Sequence, residues 1–345
     1  MEYRHSPEPK TARSLSIVSG LLFWIFSFTY LAFNQAGMMR IATEQFISQN
    51  IHYNQWIGAV VITAVLWLLG CLGHYLYRFN GKLAALSYLP SYLLLGAVTS
   101  FNADMFAGVF PIRTFLWVGG VVLLFYLLGP VKRKLSFVES NHSFVTGFIS
   151  NLILTVLLAI ATITIGNTNE DFYHEVNILC ALRDGDNERA LLLGKKSVEV
   201  GKEVTALRAV ALHRTGKMGE SLFEYPQSFG AEGLKSSFFQ ENGEDYEVAS
   251  LLLNKDLDGF YSRLNALPQM NPLPKHYAEA LILYKHLHPE LSFSVDNEEL
   301  NRKFQDCLSY QKELRSSEEV KKYPMAEKNR MRREFRETYW YYYMY

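Results

Sequence analysis

Apolar and polar positions divide this chain near residue 166. Before that point lie five stretches almost free of charge, at about 15–33, 56–77, 83–99, 110–128 and 144–165; after it, apolar residues recur at helical spacing among many charges. The last of the five, Phe144–Ile165 (FVTGFISNLILTVLLAIATITI), carries no charged residue. As a helix rising about 1.5 Å per residue it covers the roughly 30 Å of bilayer hydrocarbon. Its β-branched content also suits a buried strand, but strands average about 5 or 6 residues, so the run reads as a membrane-spanning helix.

The other four runs read the same way. The first follows a short polar segment with Arg4, Lys10 and Arg13. It is longer and bulkier than the apolar core of about 7 to 15 residues in a secretory signal, and Ala36-Gly37 is a poor cleavage site, so it is expected to stay as an uncleaved span. The third is the weakest, because Pro90 removes a helix donor in mid-run. Gly70, Gly73, Gly119 and Gly120 are expected to permit close helix packing. Beside the spans, basic residues fall unevenly: Arg4, Lys10, Arg13, Arg78, Lys82, Lys132, Arg133 and Lys134 on one side, Arg40 and Arg113 on the other. The positive-inside tendency then places the first residues in the cytoplasm and everything after Gly166 on the far side.

Beyond the last span the periodicity becomes that of short amphipathic helices. Thr168 and Asp171 have capping-box spacing for a helix through Leu182; Glu188–Val200 and about Glu203–Arg214 follow. ALRDGD (Ala181–Asp186) and ALHRTGK (Ala211–Lys217) each read as a helix end, a Gly turn and a new helix. Their separation approaches the roughly 34-residue period of tetratricopeptide repeats, with Ala190 and Ala211 small enough for paired helices to approach. A helix over Glu247–Leu267 broken near Asp256–Gly259, another over His276–His286, and a third from Asp296 to Leu314 complete the pattern, with Phe229–Asp245 as a loop. The fold class is therefore all-α: a transmembrane bundle of about five spans over 1–166, then a tetratricopeptide-like helical repeat domain over 167–345.

Charge sharpens the division. The net charge of zero hides 24 basic and 29 acidic residues from Glu170 onward, against 10 and 5 before it. Neither half has the basic excess of a nucleic-acid binder. Cys71, Cys180 and Cys307 show no metal-ligand spacing, and free thiols are expected even for Cys180 and Cys307. No metal or other cofactor is implied. There is no HExxH, GxSxG, Walker loop or GxGxxG, and His276, His286 and His288 read as partly exposed helix histidines. Glu44, His52, Asp104 and Arg113, near the far-side span ends, are the weak catalytic candidates; solvated loop residues are the simpler reading. In the closing segment, Arg332, Arg333 and Arg336 precede TYWYYYMY (Thr338–Tyr345), so Arg332, Arg333, Arg336, Tyr339, Trp340, Tyr341 and Tyr342 are the candidate interaction residues. They would meet an anionic membrane surface or a partner, unless the rings pack into the last groove of the repeat.

TALRAVALHRTGKMGESLFEYP (Thr205–Pro226), HYAEAL (His276–Leu281) and TYWYYYMY resemble an uncharacterised family of multi-span membrane proteins from Gram-negative gut bacteria. In that family a membrane block precedes a helical domain similar to tetratricopeptide repeats. The resemblance covers the second half of the chain and matches the first half in layout. It implies a bacterial inner-membrane protein without an assigned activity, so it supplies no catalytic residue. The expected function is protein–protein interaction or assembly scaffolding by a periplasmic helical domain, with membrane lipids and an envelope protein as partners. The alternative is a component of an envelope enzyme or transporter acting on a lipid-linked or glycan substrate.

Overall fold

The computed structural model describes residues 10–47, 53–77, 79, 81–132, 144–195, 197, 200–268, 270, 272–323 and 325–345, which form helices and turns without a strand. The chain forms two compact units, Met1–Val176 and Asn177–Tyr345.

The first unit begins with α1 (Lys10–Thr29), which runs on through one π-helical turn at Tyr30–Asn34, followed by α2 (Ala36–Phe46) and α3 (Gln55–Tyr77). A 3₁₀ helix, Gly81–Tyr88, leads directly into α4 (Leu89–Val98); a 3₁₀ turn at Ala103–Ala107, α5 (Ile112–Lys132) and α6 (Phe144–Ile165) follow. Among the described residues, four segments are long and apolar enough to cross a membrane: Ala12–Asn34, Gln55–Tyr77, Gly81–Val98 and Phe144–Ile165. The apolar helix Ile112–Leu128 falls short of that length. Pro90 occupies the first turn of α4, just where the 3₁₀ helix becomes α, the α-helical position at which a missing donor is best tolerated.

Polar bonds and small residues fasten these helices, contacts of the kind that can hold helices together in lipid, where there is no hydrophobic drive for association. Asn151 of α6 accepts from Ala85 N–H at 2.8 Å and donates to the Gly81 carbonyl at 2.7 Å, holding the 3₁₀ segment. Ser91 donates to the Leu66 carbonyl at 2.6 Å, Thr162 to that of Tyr92 at 2.9 Å, and Ser27 and Thr63 pair at 3.0 Å. Gly70 faces the Tyr88 ring, Gly73 the Ser87 carbonyl, and Gly96 both Ile165 and the Thr162 carbonyl. Gly119 and Gly120, expected to serve the same purpose, instead face open space. Of the basic residues that set the expected orientation, Arg4, Arg78, Arg133 and Lys134 lie outside the described residues.

The unit boundary falls within α7 (Glu170–Arg183), and the second unit continues through α8 (Asn187–Leu192), α9 (Lys202–Arg214), α10 (Met218–Ser221), α11 (Glu244–Leu253), α12 (Leu257–Ala266), α13 (Lys275–Leu287), α14 (Glu298–Ser316), α15 (Glu318–Lys322), α16 (Met325–Phe335) and α17 (Tyr339–Met344). One turn recurs three times. Gly185 N–H bonds to Leu182 O and Asp186 N–H to Ala181 O; Gly216 bonds to His213 and Lys217 to Leu212; Lys255 bonds to Leu252 and Asp256 to Leu251. Each is a Schellman ending with its central residue left-handed, at φ 76°, 66° and 59°, which satisfies the last carbonyls of one helix while reversing the chain. Asp186 and Asp256 then cap α8 and α12. Ala190 and Ala211 are fully buried, and every residue of α9 from Val204 to Leu212 is buried.

Three expectations are corrected. Asn169, not Thr168, caps α7, accepting from Asp171 and Phe172 N–H at 3.0 and 3.3 Å. The helix expected over Glu188–Val200 stops at Leu192: Gly194 turns left-handed at φ 61°, and the Leu193 and Gly194 carbonyls accept from the Arg208 guanidinium. His276 is wholly buried, while His286 is exposed.

Candidate functional site

The closing aromatic run separates into an anchored half and a presented half. Tyr339 and Trp340 are fully buried. The Tyr339 N–H donates to Glu279 Oε2 at 2.7 Å, its hydroxyl to the Leu252 carbonyl at 3.3 Å, and Trp340 Nε1 to the Glu279 carbonyl at 2.8 Å. Phe223 stands edge-on to both His276 and Tyr339. Phe223 N–H donates to His276 Nε2 at 3.3 Å, which leaves Nδ1 to donate to Glu279 Oε2 at 2.9 Å. Burial of an unshared carboxylate is costly, so these donors are what allow Glu279 to sit in the core. Tyr339 and Trp340 therefore hold the run in place.

That anchorage turns Tyr341, Tyr342 and Tyr345 into one wall of a cleft of about 560 Å³. Lys195, Lys255, Lys328, Arg332 and Arg336 line it together with Tyr225, and Glu224 is the lone carboxylate among the described lining residues. Lys195 meets Glu224 at 3.3 Å and stands over the Tyr225 ring; Lys255 donates to the Tyr343 carbonyl at 2.9 Å and stands over Tyr342. Arg336 pairs with exposed Glu337 at 3.1 Å, a solvent contact of small value. Lys328 and Arg332, one turn apart on α16 and so on one face, have no carboxylate partner among the described residues.

Burial pushes the Tyr341 hydroxyl above its ordinary range, an effect opposed by the Arg332 charge beside it; burial does the same to Tyr342. The rings stay neutral donors and acceptors at physiological pH. Arg332 and Arg336 also line a second cavity, of about 470 Å³, with Lys275, Lys303 and Arg333 against Glu334 and Glu337. A cationic cleft with low-dielectric aromatic walls concentrates anions and carboxylates.

Of the interaction residues read from the sequence, Arg332, Arg336, Tyr341 and Tyr342 line the cleft and Arg333 the second cavity, whereas Tyr339 and Trp340 line neither. Lys195, Tyr225 and Lys255 were not foreseen, and no spacing marks them, because they come from distant turns. Among the described residues, no hydrogen bond or ion pair joins the catalytic candidates Glu44, Asp104 and Arg113 to one another. Glu44 pairs with Arg40 at 3.1 Å, Asp104 lies in a turn bonded to Asn102, and Arg113 is bonded to neither. His52 lies outside the described residues. No group of three or more metal-ligating side chains occurs among the described residues. Cys71, Cys180 and Cys307 form no disulfide among the described residues, and burial pushes the Cys307 thiol up to about 12.

Residues 241–345 match a family of unknown function, DUF6057. The match takes in α11 to α17, hence Glu279, α16 and the closing aromatic run, but not Thr205–Pro226. Neither the curated proteins nor the solved structures yield a match to the chain.

Proposed function

We propose that this chain is a multi-pass protein of a bacterial inner membrane whose second unit captures an acidic segment of an envelope protein. The observation that carries the reading is the cleft, where Lys328 and Arg332 face solvent without carboxylate partners beside the rings of Tyr341, Tyr342 and Tyr345. Lysine and arginine supply attraction and orientation; the tyrosines supply contact area at small entropic loss. Although its apolar part is short, α5 as a whole runs 21 residues, about 31 Å as a helix, and is taken as a fifth crossing; the uneven placing of Lys and Arg then favours the first residues in the cytoplasm and the second unit in the periplasm. The three recurring turns support stacked helix pairs akin to tetratricopeptide repeats, which present concave surfaces to extended segments.

Binding is tested with the full chain in detergent and a fluorescent oligoglutamate probe. Saturable binding that weakens with salt, and falls at least tenfold in the Arg332→Glu/Lys328→Glu double variant, is expected; equal binding by that variant refutes the cleft. Compartment is tested with Leu192→Cys, an exposed position on α8. An impermeant maleimide is expected to label it in intact spheroplasts, and labelling only after lysis refutes the periplasmic placement.

A further inference from the structure

The first unit carries an apolar groove of about 450 Å³ lined by Leu93 of α4, Ile165 of α6, and Arg113, Thr114, Trp117, Val118 and Val121 of α5. Beside it α4 and α6 close on each other, Gly96 lying against Ile165 and the Thr162 carbonyl. Its volume falls within the roughly 300–1,000 Å³ of small-ligand sites. All its lining residues but two are apolar, and those two, Arg113 and Thr114, lie together in the first turn of α5. The Arg113 guanidinium makes no hydrogen bond or ion pair among the described residues, and no carboxylate lines the groove. Beside it Trp117 is 78% exposed, an amphipathic ring suited to headgroup depth.

We propose that this groove binds an anionic glycerophospholipid, one acyl chain lying along Leu93, Val118, Val121 and Ile165 and the phosphate meeting Arg113 and the Thr114 hydroxyl. The proposal rests on the first unit crossing a bilayer and is independent of the cleft in the second. Charge complementarity selects the occupant. A planar guanidinium matches two phosphate oxygens at once, and no carboxylate in the groove competes for it. A lipid that fills the groove by its chain alone would leave the guanidinium unmatched, so the site is expected to discriminate by headgroup.

The test titrates the delipidated full chain in detergent with phosphatidylglycerol or phosphatidylcholine and counts retained lipid by native mass spectrometry. Wild type is expected to retain one phosphatidylglycerol at least tenfold more tightly than phosphatidylcholine. Arg113→Gln should abolish that preference, and Arg113→Lys should keep part of it. Val121→Trp, which fills the groove and leaves Arg113 in place, should lose the bound lipid. Equal retention of the two lipids by wild type, an unchanged preference in Arg113→Gln, or undiminished binding in Val121→Trp would each overturn the assignment.

Discussion

The carboxylate of Glu279 accepts the backbone N–H of Tyr339 at 2.7 Å, with both residues fully buried and sixty positions apart in sequence. The same oxygen meets His276 at 2.9 Å, so one side chain of α13 fixes the start of α17. Glu279→Ala strands two buried donors, each at about 1–3 kcal/mol. The full chain in detergent is expected to lose about 3 kcal/mol or more by denaturant titration, with faster proteolysis within 339–345. Glu279→Gln, which keeps an acceptor, should lose less. Equal stability of wild type and Glu279→Ala contradicts the assignment.

Glycines in the membrane unit should differ by the space before them. A Cβ at residue 73 would lie 2.5 Å from the Ser87 carbonyl oxygen, and backbone there cannot step aside cheaply, whereas at Gly119 and Gly120 it would meet nothing within 4 Å. Gly73→Ala is expected to lower the melting temperature of the detergent-solubilised protein by several degrees. Gly119→Ala should be neutral or raise it, since alanine favours a helix by about 1 kcal/mol. Identical shifts in the two variants would contradict the packing described.

A different penalty applies at the recurring turn. Gly216 has φ 66° and open space around it, so Gly216→Ala meets no clash, only backbone strain. A left-handed residue other than glycine costs about 1–2 kcal/mol, and a loss of that size is expected by denaturant titration. Gly185→Ala, at φ 76°, should match it. A gain in stability at either site would mean the turn is not left-handed in solution.

Acid should loosen the end of the second unit. Burial by itself would raise the Glu327 carboxyl, but hydrogen bonds from Tyr345 and Gln311 and the ion pair with Arg315 at 3.0 Å hold it below its ordinary value of 4.5. Near that value the unfolded chain binds more protons than the folded one, so stability rises with pH through the window and falls as pH drops through the lowered value. Glu327→Gln is expected to melt lower than wild type at pH 7, with the gap closing below about pH 4. A gap that stays constant from pH 7 to pH 3 would assign the effect to packing alone.

Much of the membrane unit was legible because a long uncharged run has few alternatives: Phe144–Ile165 and the helix over 56–77 are found within a residue or two of where periodicity puts them. The first two helix-reversing turns were legible through Gly185 and Gly216. At the third, the break near Asp256–Gly259 was legible but its form was not, because Lys255 takes the left-handed position that glycine marks elsewhere. The end of α8 was not legible, because the Leu193 and Gly194 carbonyls there are taken by Arg208, from the following helix. The cleft could be read only in part. Its basic and aromatic residues near 332–345 are contiguous, but Lys195, Tyr225 and Lys255 reach it through tertiary packing. Burial of Tyr339 and Trp340 depends on Glu279 and Phe223, which no local pattern ties to them.

The stretch that holds Pro90 has eighteen residues, which wound entirely as an α-helix would measure about 27 Å, short of the roughly 30 Å of hydrocarbon. Eight of them are wound more tightly, at about 2.0 Å per residue instead of 1.5, from Gly81 to Tyr88. Its tip-to-tip reach is then about 31 Å. Stretching the thread, rather than adding residues, makes the shortest of the four long apolar segments long enough to bridge both leaflets.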